Sequence, residues 1–363
     1  MLKVSFQVRR VWIAAATLAV TILIAGALVG TTAAAEENAY VVHNLVSDVP
    51  GLADHADSHL VNGWGLTALA TSPWWVADNG TSVSTLYRAD GTQVPLVVDV
   101  ASAPTGAVSN AKPNFVVHEG TRSGSALFLF DTEEGKILGW NPGVALTRAV
   151  VAVDRSGMGA VYKGLAIAST GAGDFLYAAD FHNARVDVFD GSFNPVSAAG
   201  AFVDPKLSDG FAPFGIQNIG GRIFVAYAKQ DATGHDEVDG QGLGFVDMFG
   251  TSGELLGRVA TRGQLDAPWG LALAPAGFGR FGGDLLVGNF GDGHINAYEL
   301  QPAGNYEHRG ELRGVDGKPI AIDGLWSLQF GHGAPTNGPT DTLFFTAGPA
   351  GESEGLFGTI RAR

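Results

Sequence analysis

The sequence predicts an all-β protein, a six-bladed β-propeller with four antiparallel strands in each blade. Three observations predict this fold. A short motif built around glycine recurs about every 50 residues, an apolar run follows each copy at a similar distance, and an unpaired strand remains at each end of the repeat array. A repeat of about this length is typical of propellers and solenoids, in which each unit packs only against its neighbours.

The recurring motif, a bulky residue followed by glycine and an aliphatic residue, is predicted to form the innermost strand of each blade. Its copies are centred on residues 65, 115, 164, 215, 270 and 327, which are 50, 49, 51, 55 and 57 residues apart. The second copy is degenerate, and the sixth has serine in place of glycine. The six copies are Trp64-Gly65-Leu66, Asn114-Phe115-Val116, Lys163-Gly164-Leu165, Phe214-Gly215-Ile216, Trp269-Gly270-Leu271 and Trp326-Ser327-Leu328.

The other strands of each blade follow the motif in a fixed order. About a dozen residues on comes a continuous apolar run, such as 176–179 or 343–346, which is typical of a strand buried on both faces. A third strand with alternating polarity follows, as at 185–189, and a turn with Asp190-Gly191 indicates a hairpin. A more polar fourth strand completes the unit. Because no segment after residue 36 keeps a helical period, helices should be nearly absent.

The two ends of the repeat array are predicted to pair with each other. The sixth unit stops after its third strand, at 355–360, and is one strand short. Residues 40–45 are predicted to form a strand that precedes the first unit and has no partner there. Pairing these two segments gives every blade four strands and removes the open edge of the ring. We therefore expect a closed, monomeric propeller over residues 36–363.

Residues 1–35 have the composition of an export signal. Lys3, Arg9 and Arg10 precede an apolar run at 11–29, and Ala33-Ala34-Ala35 follows directly before two glutamates. This order predicts a signal peptide cleaved near Ala35 and a periplasmic or secreted protein. The alternative is an uncleaved membrane anchor, since 19 apolar residues can span a bilayer. Only in that case would the protein contact a membrane.

Charge and composition exclude several classes of function. After residue 35 the chain carries 36 acidic residues and 19 lysines and arginines, a net charge of −17, which repels the phosphates of nucleic acids. The chain has no cysteine, so disulfides, catalytic thiols and thiolate metal ligands are excluded. No Gly-x-Ser-x-Gly motif lies between a strand and a helix. His55 and His59 are four residues apart, but Pro50, Gly51 and Gly63 bracket them in a predicted loop and not on a helix, as a zinc motif of this spacing requires. The sequence therefore leaves the catalytic residues unknown and predicts no metal ligand.

Several long segments resemble an uncharacterised family of exported bacterial propeller proteins. They are LYAADFHN at 176–183, APWGLALAP at 267–275, GDLLVGNFGDG at 283–293, IDGLW at 322–326 and FTAGP at 345–349. One departure is Asn62-Gly63-Trp64-Gly65, where the family pattern has proline in place of Gly63, and we expect a looser start to the first blade. The repeat is more distantly similar to NHL-type propellers, which include binding modules and lactonase-like enzymes. The resemblance implies the fold and export and carries no activity over.

Polar and aromatic residues are predicted to gather on one face of the ring. In a four-stranded meander the first strand begins, and the second strand ends, at the same edge of the blade, so residues at both places share a face. Asp78, Asp131 and Asp180 recur at one blade position and are expected to hold turns together. The ligand-binding candidates on this face are Trp64, Asn79, Lys163, His182, Lys229, Trp269, Asn289, Asp292 and Trp326.

Two classes of function remain open. The leading hypothesis is a non-enzymatic propeller that binds a small molecule, a glycan or a partner protein outside the cytoplasm. The alternative is a metal-assisted hydrolase or lactonase-like enzyme with Ca²⁺ or another divalent ion held by oxygen ligands. Lactonase-like propellers use a glutamate for this, and the sequence predicts none at the matching blade positions. The acidic loop at 231–242 fits no calcium-loop spacing and is expected to be a solvated insertion.

Overall fold

Six antiparallel sheets form a ring in the computed structural model, which describes residues 1–2, 37–196 and 200–363. The innermost strand of each sheet contacts the innermost strand of the next, and the innermost strand of the sixth contacts that of the first. The predicted six-bladed propeller is confirmed. The predicted export signal at 1–35 lies outside the described residues, apart from its first two positions.

The blades are numbered in chain order, with their strands given from the channel outwards. Blade 1 has Gly63–Thr67, Trp74–Asp78, Val83–Tyr87 and Val98–Asp99; blade 2 has Pro104–Ser109, Phe128–Thr132, Lys136–Trp140 and Val150–Asp154. Blade 3 has Tyr162–Thr170, Gly173–Asp180, Arg185–Asp190 and Pro195–Val196; blade 4 has Phe211–Ile219, Arg222–Gln230, Gly244–Phe249 and Leu255–Thr261. Blade 5 has Pro268–Leu273, Leu285–Asn289, Ile295–Leu300 and Tyr306–Glu311; blade 6 has Leu325–Phe330, Leu343–Ala347, Leu356–Ala362 and Tyr40–Ser47.

The outermost strand of blade 6 comes from the N-terminal side of the chain and closes the ring. Tyr40–Ser47 pairs antiparallel with Leu356–Ala362, from Tyr40 opposite Ala362 to Ser47 opposite Leu356. The short strand His55–Ala56 pairs in parallel with the end of Tyr40–Ser47. The predicted closure of the propeller by its N-terminal strand is therefore confirmed.

The innermost strand of blade 2 lies earlier in the chain than predicted. The motif match at 114–116 is wrong, because Pro104–Ser109 is the strand that lines the channel and pairs with Phe128–Thr132. Val116–Glu119 instead pairs with Arg122–Ser125 in a separate two-stranded hairpin. The inserted hairpin begins about 50 residues after Gly65 and so imitates the repeat spacing.

Close packing of the innermost strands explains the glycine of the motif. A Cβ atom built on Gly65 would lie 2.5 Å from the carbonyl oxygen of Thr105 in blade 2. One built on Gly270 would lie 2.5 Å from the carbonyl oxygen of Trp326 in blade 6. A side chain at either of these positions would push the neighbouring blades apart at the axis.

Most of the hydrophobic core lies between neighbouring blades. Trp75 of blade 1, for example, stacks on Phe128 of blade 2 with ring centroids 4.1 Å apart. Burial of such rings supplies most of the free energy that holds the blades together.

Helical structure is sparse in the described ranges. It consists of one short α-helix, Pro349–Glu352, and three 3₁₀ turns, Asn79–Thr81, Ser156–Met158 and Gly279–Phe281. None of the helices in the described part of the chain has the length and apolarity needed to cross a membrane.

Candidate functional site

We define the upper face of the ring as the face at which innermost strands begin and second strands end. Strand register brings these two positions together in every blade. Gly63 lies opposite Asp78 in blade 1, and Tyr162 lies opposite Asp180 in blade 3. In blade 5, Pro268 lies opposite Asn289. The polar residues that follow the second strands therefore surround the starts of the innermost strands.

An aromatic cluster, which we call the aromatic plug, lies at the centre of the upper face. Trp64 and Trp326 stack with ring centroids 3.6 Å apart, and Phe290 also stacks on Trp326 at 4.2 Å. Trp269 meets Trp64 edge-on at 6.3 Å. The other members of the plug are Phe181 and Phe214.

The three tryptophans of the plug are buried, so they form a floor beneath the upper face and are not exposed anchors. Further along the axis, the channel holds a cavity of about 20 Å³, lined by residues such as Leu165 and Leu271. That volume has room for about one water molecule. A ligand larger than water therefore cannot enter this part of the channel.

A buried lysine lies directly on the plug. The side chain of Lys163 is 2% exposed, and its ammonium is 2.5 Å from Oε1 of Glu133 and 3.3 Å from Oδ1 of Asp236. The same ammonium lies 5.2 Å from the ring centroid of Trp64. Burial by itself would lower the pKa of Lys163, but the carboxylates of Glu133 and Glu237 raise it, so the amine stays charged.

Two further glutamates complete what we call the lysine–carboxylate cluster: Lys163, Glu133, Asp236, Glu237 and Glu352. Burial raises the pKa of Glu237 to about 7, against the opposing attraction of Lys163. Burial also raises the pKa of Glu352, although this carboxylate accepts a 2.7 Å hydrogen bond from the amide of Asn62. The cluster therefore holds more acidic groups than its single ammonium can neutralise.

Two asparagines connect the cluster to the plug. The side-chain oxygen of Asn62 accepts a 2.9 Å hydrogen bond from Nε1 of Trp326. The amide of Asn79 donates to Oε2 of Glu133 at 3.0 Å, and the amide of Asn62 donates to Oδ1 of Asn79 at 3.3 Å. Asn62 is buried and held by these bonds. The looser start of blade 1 that the missing proline led us to expect stays a prediction.

The acids of the cluster come from loops after second strands. Glu133 directly follows the second strand of blade 2, Glu352 lies in the long loop of blade 6, and Asp236 and Glu237 lie in the long loop of blade 4. The prediction that no glutamate occupies such positions is therefore wrong. The blade 4 loop is also more than a solvated insertion, because Glu237–Val238 pairs with the second strand of its blade. Unusual loop length in blades 4 and 6 is the signal that could have found Asp236, Glu237 and Glu352.

The remaining predicted site residues lie on the upper face but apart from the cluster. His182 is exposed, with its ring beside Gly234 of the blade 4 loop. Lys229 is half-buried, with its ammonium 5.4 Å from the ring of Phe211.

In blade 5 the side-chain amide of Asn289 donates to Oδ1 of Asp292 at 3.0 Å. Oδ1 of Asp292 also accepts from the backbone of His294, so this pair organises a local turn. Of the nine predicted residues, the structure joins Trp64, Asn79, Lys163, Trp269 and Trp326 in one connected group.

The three repeated aspartates are buried and bind backbone amides. Oδ2 of Asp78 accepts from the amide of Thr85 at 2.8 Å, and Oδ1 of Asp131 accepts from the amide of Gly106 at 2.6 Å. Asp180 binds the amide of Asn183 in the same way at 3.2 Å. Each fixes a turn or a neighbouring strand of the propeller, which is the scaffold role that repeated residues usually have.

One group in the described ranges has the donors for a metal ion. Ligand atoms of Glu133, His235 and Asp236 all lie within 4.8 Å of one another. Carboxylate oxygens and an imidazole suit a divalent cation. However, Lys163 already pairs with both carboxylates, so a metal ion would have to compete with the ammonium for them.

Replacing Glu237 with glutamine is expected to stabilise the protein at pH 8 and to have little effect at pH 4.5. The folded-state pKa of about 7 lies above the ordinary value, so the native state loses stability as the pH rises from about 4.5 through 7. Glutamine removes that loss, which we expect to be about 2 kcal/mol at pH 8. Urea unfolding of wild type and Glu237→Gln at both values measures it.

The matched control for this comparison is Glu307→Gln, which changes an exposed glutamate on the outer strand of blade 5. It should leave the free energy of unfolding unchanged at both pH values. Equal effects of Glu237→Gln at pH 4.5 and pH 8 would contradict the assignment of Glu237 as an acid whose pKa is raised in the folded protein.

Comparison with known proteins finds relatives over most of the chain. The uncharacterised protein R648 of Acanthamoeba polyphaga mimivirus is 34% identical over 332 residues, which cover 88% of this chain and 79% of the relative. The uncharacterised protein L690 of the same virus is 32% identical, with 88% and 85% covered. No family model matches the chain. These relatives are viral, so the bacterial and exported character that the resemblance implied is not confirmed.

Solved structures resemble the fold at low sequence identity. A protein of unknown function from Bacteroides thetaiotaomicron matches with a TM-score of 0.56 and 12% identity, over 89% of this chain and 76% of that one. The soluble aldose sugar dehydrogenase of Escherichia coli matches with a TM-score of 0.52 and 11% identity, over 89% and 100%. At such identities the likeness concerns the propeller fold alone, since this fold hosts unrelated functions.

Proposed function

We propose that this chain, which belongs to the same family as the mimivirus proteins R648 and L690, is a non-enzymatic propeller that binds a cationic small molecule at its upper face. The observation that carries the proposal is the imbalance of charge in the lysine–carboxylate cluster. Four carboxyl groups surround one ammonium there.

Electrostatics favour a cation over other ligands at this position. Glu133 and Glu352 are partly exposed, and Asp236 is 65% exposed, so an incoming ligand can reach their oxygens. The chain after residue 35 also carries a net charge of −17, which raises the local concentration of cations. An amine or guanidinium group would find hydrogen-bond acceptors on the cluster.

Lys163 supports the same ligand class. Its ammonium lies between two carboxylates and near the ring of Trp64, so the upper face already holds one positively charged nitrogen in this environment. A cationic ligand would add a second positive charge to that of Lys163. It would neutralise the carboxylates that Lys163 does not, chiefly Glu352 and, above pH 7, Glu237.

The second candidate function is a metal-assisted hydrolase. It is favoured by one observation, the proximity of Glu133, His235 and Asp236. Those residues would hold a divalent ion, which would supply Lewis-acid activation of a carbonyl group or of water. Pairing of Lys163 with two of the three ligands argues against it.

We expect spermidine to raise the melting temperature of the protein, and Glu352→Gln to weaken its binding about tenfold. Glutamine keeps an acceptor for Asn62 and removes one negative charge, so the loss would report electrostatic attraction. Calorimetric titration with spermidine, Ca²⁺ and Zn²⁺ measures the affinities, with Glu307→Gln as the control variant that should bind as wild type does.

Two results would overturn the proposal. Equal spermidine affinity in wild type and Glu352→Gln would remove the cluster as the binding site. Stoichiometric Ca²⁺ or Zn²⁺ in protein purified without chelator, lost in Glu133→Gln, would favour the metal-assisted alternative.

The site of action that we propose is outside the cytoplasm. Support comes from the basic residues, apolar run and small residues at 1–35, the composition of a signal peptide. N-terminal sequencing of protein recovered from the periplasm or medium tests this, since a mature chain that begins near Glu36 indicates cleavage and an intact N-terminus indicates an anchor.

A further inference from the structure

The loop of blade 4, residues 231–242, crosses the upper face and differs from its counterparts. Thirteen residues separate the second strand of blade 4, which ends at Gln230, from the third, which begins at Gly244. In blades 1, 2, 3 and 5 the same connection has three to five residues. The loop supplies two of the five members of the lysine–carboxylate cluster, Asp236 and Glu237.

A few polar contacts hold this loop to the ring. Asp236 pairs with Lys163 of blade 3 at 3.3 Å. The amide of Gly240 donates to Oδ1 of Asp266, before blade 5, at 2.6 Å, and the amide of Gly242 donates to the carbonyl of Leu265 at 2.8 Å. These contacts reach the blades on both sides of blade 4.

The loop buries little apolar surface. Val238 is its only large apolar residue and is 40% exposed, while most of its other residues are exposed. Its ladder with the second strand has two residue pairs, Lys229 with Val238 and Gln230 with Glu237. Segments with so few buried apolar contacts open independently of the rest of a protein.

Glycines permit such an opening. Gly240 and Gly242 have φ angles of +150° and +83°, which residues with a Cβ rarely adopt. Both glycines lie at the C-terminal end of the loop, just before the third strand of blade 4. A change of backbone direction there would move residues 231–242 away from the upper face. Gly234, at φ +69°, lies near the other end.

We propose that residues 231–242 form a lid over the lysine–carboxylate cluster, which opens to admit the ligand and closes on it. The closed lid places Asp236 beside Lys163 and Glu237 against the interior, so the carboxylates of the lid become part of the site that it covers. The assignment of the ligand rests on the proposed function, whereas the opening of the lid does not.

Hydrogen exchange followed by mass spectrometry tests the lid in the full chain without ligand. Amides of residues 231–242 should exchange much faster than those of the adjacent strand Arg222–Gln230. Gly242→Ala should speed their exchange roughly fivefold, because alanine is strained at a positive φ and disfavours the closed state. A Cβ atom at Gly242 would meet nothing closer than 3.9 Å, so the effect would come from the backbone.

Gly221→Ala is the matched control. Gly221 has a similar φ angle, +78°, in open space at the turn on the opposite side of blade 4. It should leave the exchange of residues 231–242 unchanged. The lid would be refuted if these residues exchanged as slowly as Arg222–Gln230, or if Gly242→Ala left their rate unaltered. If these two tests support the lid but spermidine does not slow the exchange of residues 231–242, only the assignment of the ligand is wrong.

Discussion

Deletion of residues 36–48 is expected to leave the protein largely insoluble. The deletion removes the strand Tyr40–Ser47, and with it the whole antiparallel ladder to Leu356–Ala362. Tyr40, Leu45 and Val46 are almost fully buried in this strand, and each contributes about 1.5 to 3 kcal/mol by burial. Together with the lost ladder, this approaches the whole stability of a typical domain, about 5 to 15 kcal/mol.

The deletion also exposes the edge of the strand Leu356–Ala362, so we expect aggregation in addition to a lower free energy of unfolding. Without its partner, Leu356–Ala362 would present a row of unpaired backbone groups that invite aggregation. The soluble fraction after expression and the melting temperature measure the effect. A variant with Val41→Thr and Val42→Thr, which changes two exposed positions of the same strand, should stay soluble. A truncated chain that melts as the full chain does would show that the strand does not close the ring.

Much of the fold could be predicted because the propeller repeats its local chemistry. In blades 1 to 5 a glycine is required where neighbouring innermost strands touch, so glycine recurs at the period of the blades, and Ser327 takes its place in blade 6. The innermost strand of blade 2 was not recognised, because its glycine, Gly106, is flanked by Thr105 and Ala107. The other copies have a bulky residue before the motif position and a large aliphatic residue after it. The hairpin that starts at Val116 then supplied a false match near the expected spacing.

The candidate site was predicted only where it is attached to the repeat. Trp64, Lys163, Trp269 and Trp326 belong to the motif, so strand direction alone placed them on one face. Asp236, Glu237 and Glu352 come from loops of irregular length, which carry no periodic signal. Their approach to Lys163 depends on how the blade 4 and blade 6 loops fold back over the ring, and that is a property of tertiary structure.

The burial of Lys163 could not be predicted from the sequence either, because it also depends on tertiary contacts. The sequence left two alternatives for its amine, contact with a ligand or pairing with a neighbouring carboxylate. The neighbours that decide between them, Glu133 and Asp236, lie in blades 2 and 4, about 30 and 70 residues away in the chain. The amine is paired and almost fully buried, which places it beneath the ligand-accessible carboxylates.

Lys163→Met is expected to destabilise the protein by about 3 kcal/mol at pH 8, because it removes the buried counterion of Glu133 and of the other partly exposed carboxylates of the cluster. The loss should be smaller at pH 5. Glu237, whose pKa is about 7 with Lys163 in place, is protonated there and no longer needs a counterion. Chemical denaturation at both pH values measures the difference.

Lys229→Met is the matched control, since the ammonium of Lys229 is half-buried and its nearest described partner is the carbonyl of Asp209 at 3.5 Å. We expect its free energy of unfolding to stay within about 0.5 kcal/mol of wild type. Adding Glu133→Gln to Lys163→Met should recover part of the lost free energy of unfolding, because the double variant has one unneutralised carboxylate fewer than Lys163→Met alone. If Lys163→Met unfolds as wild type does but binds spermidine differently, the ammonium faces the ligand and does not support the fold.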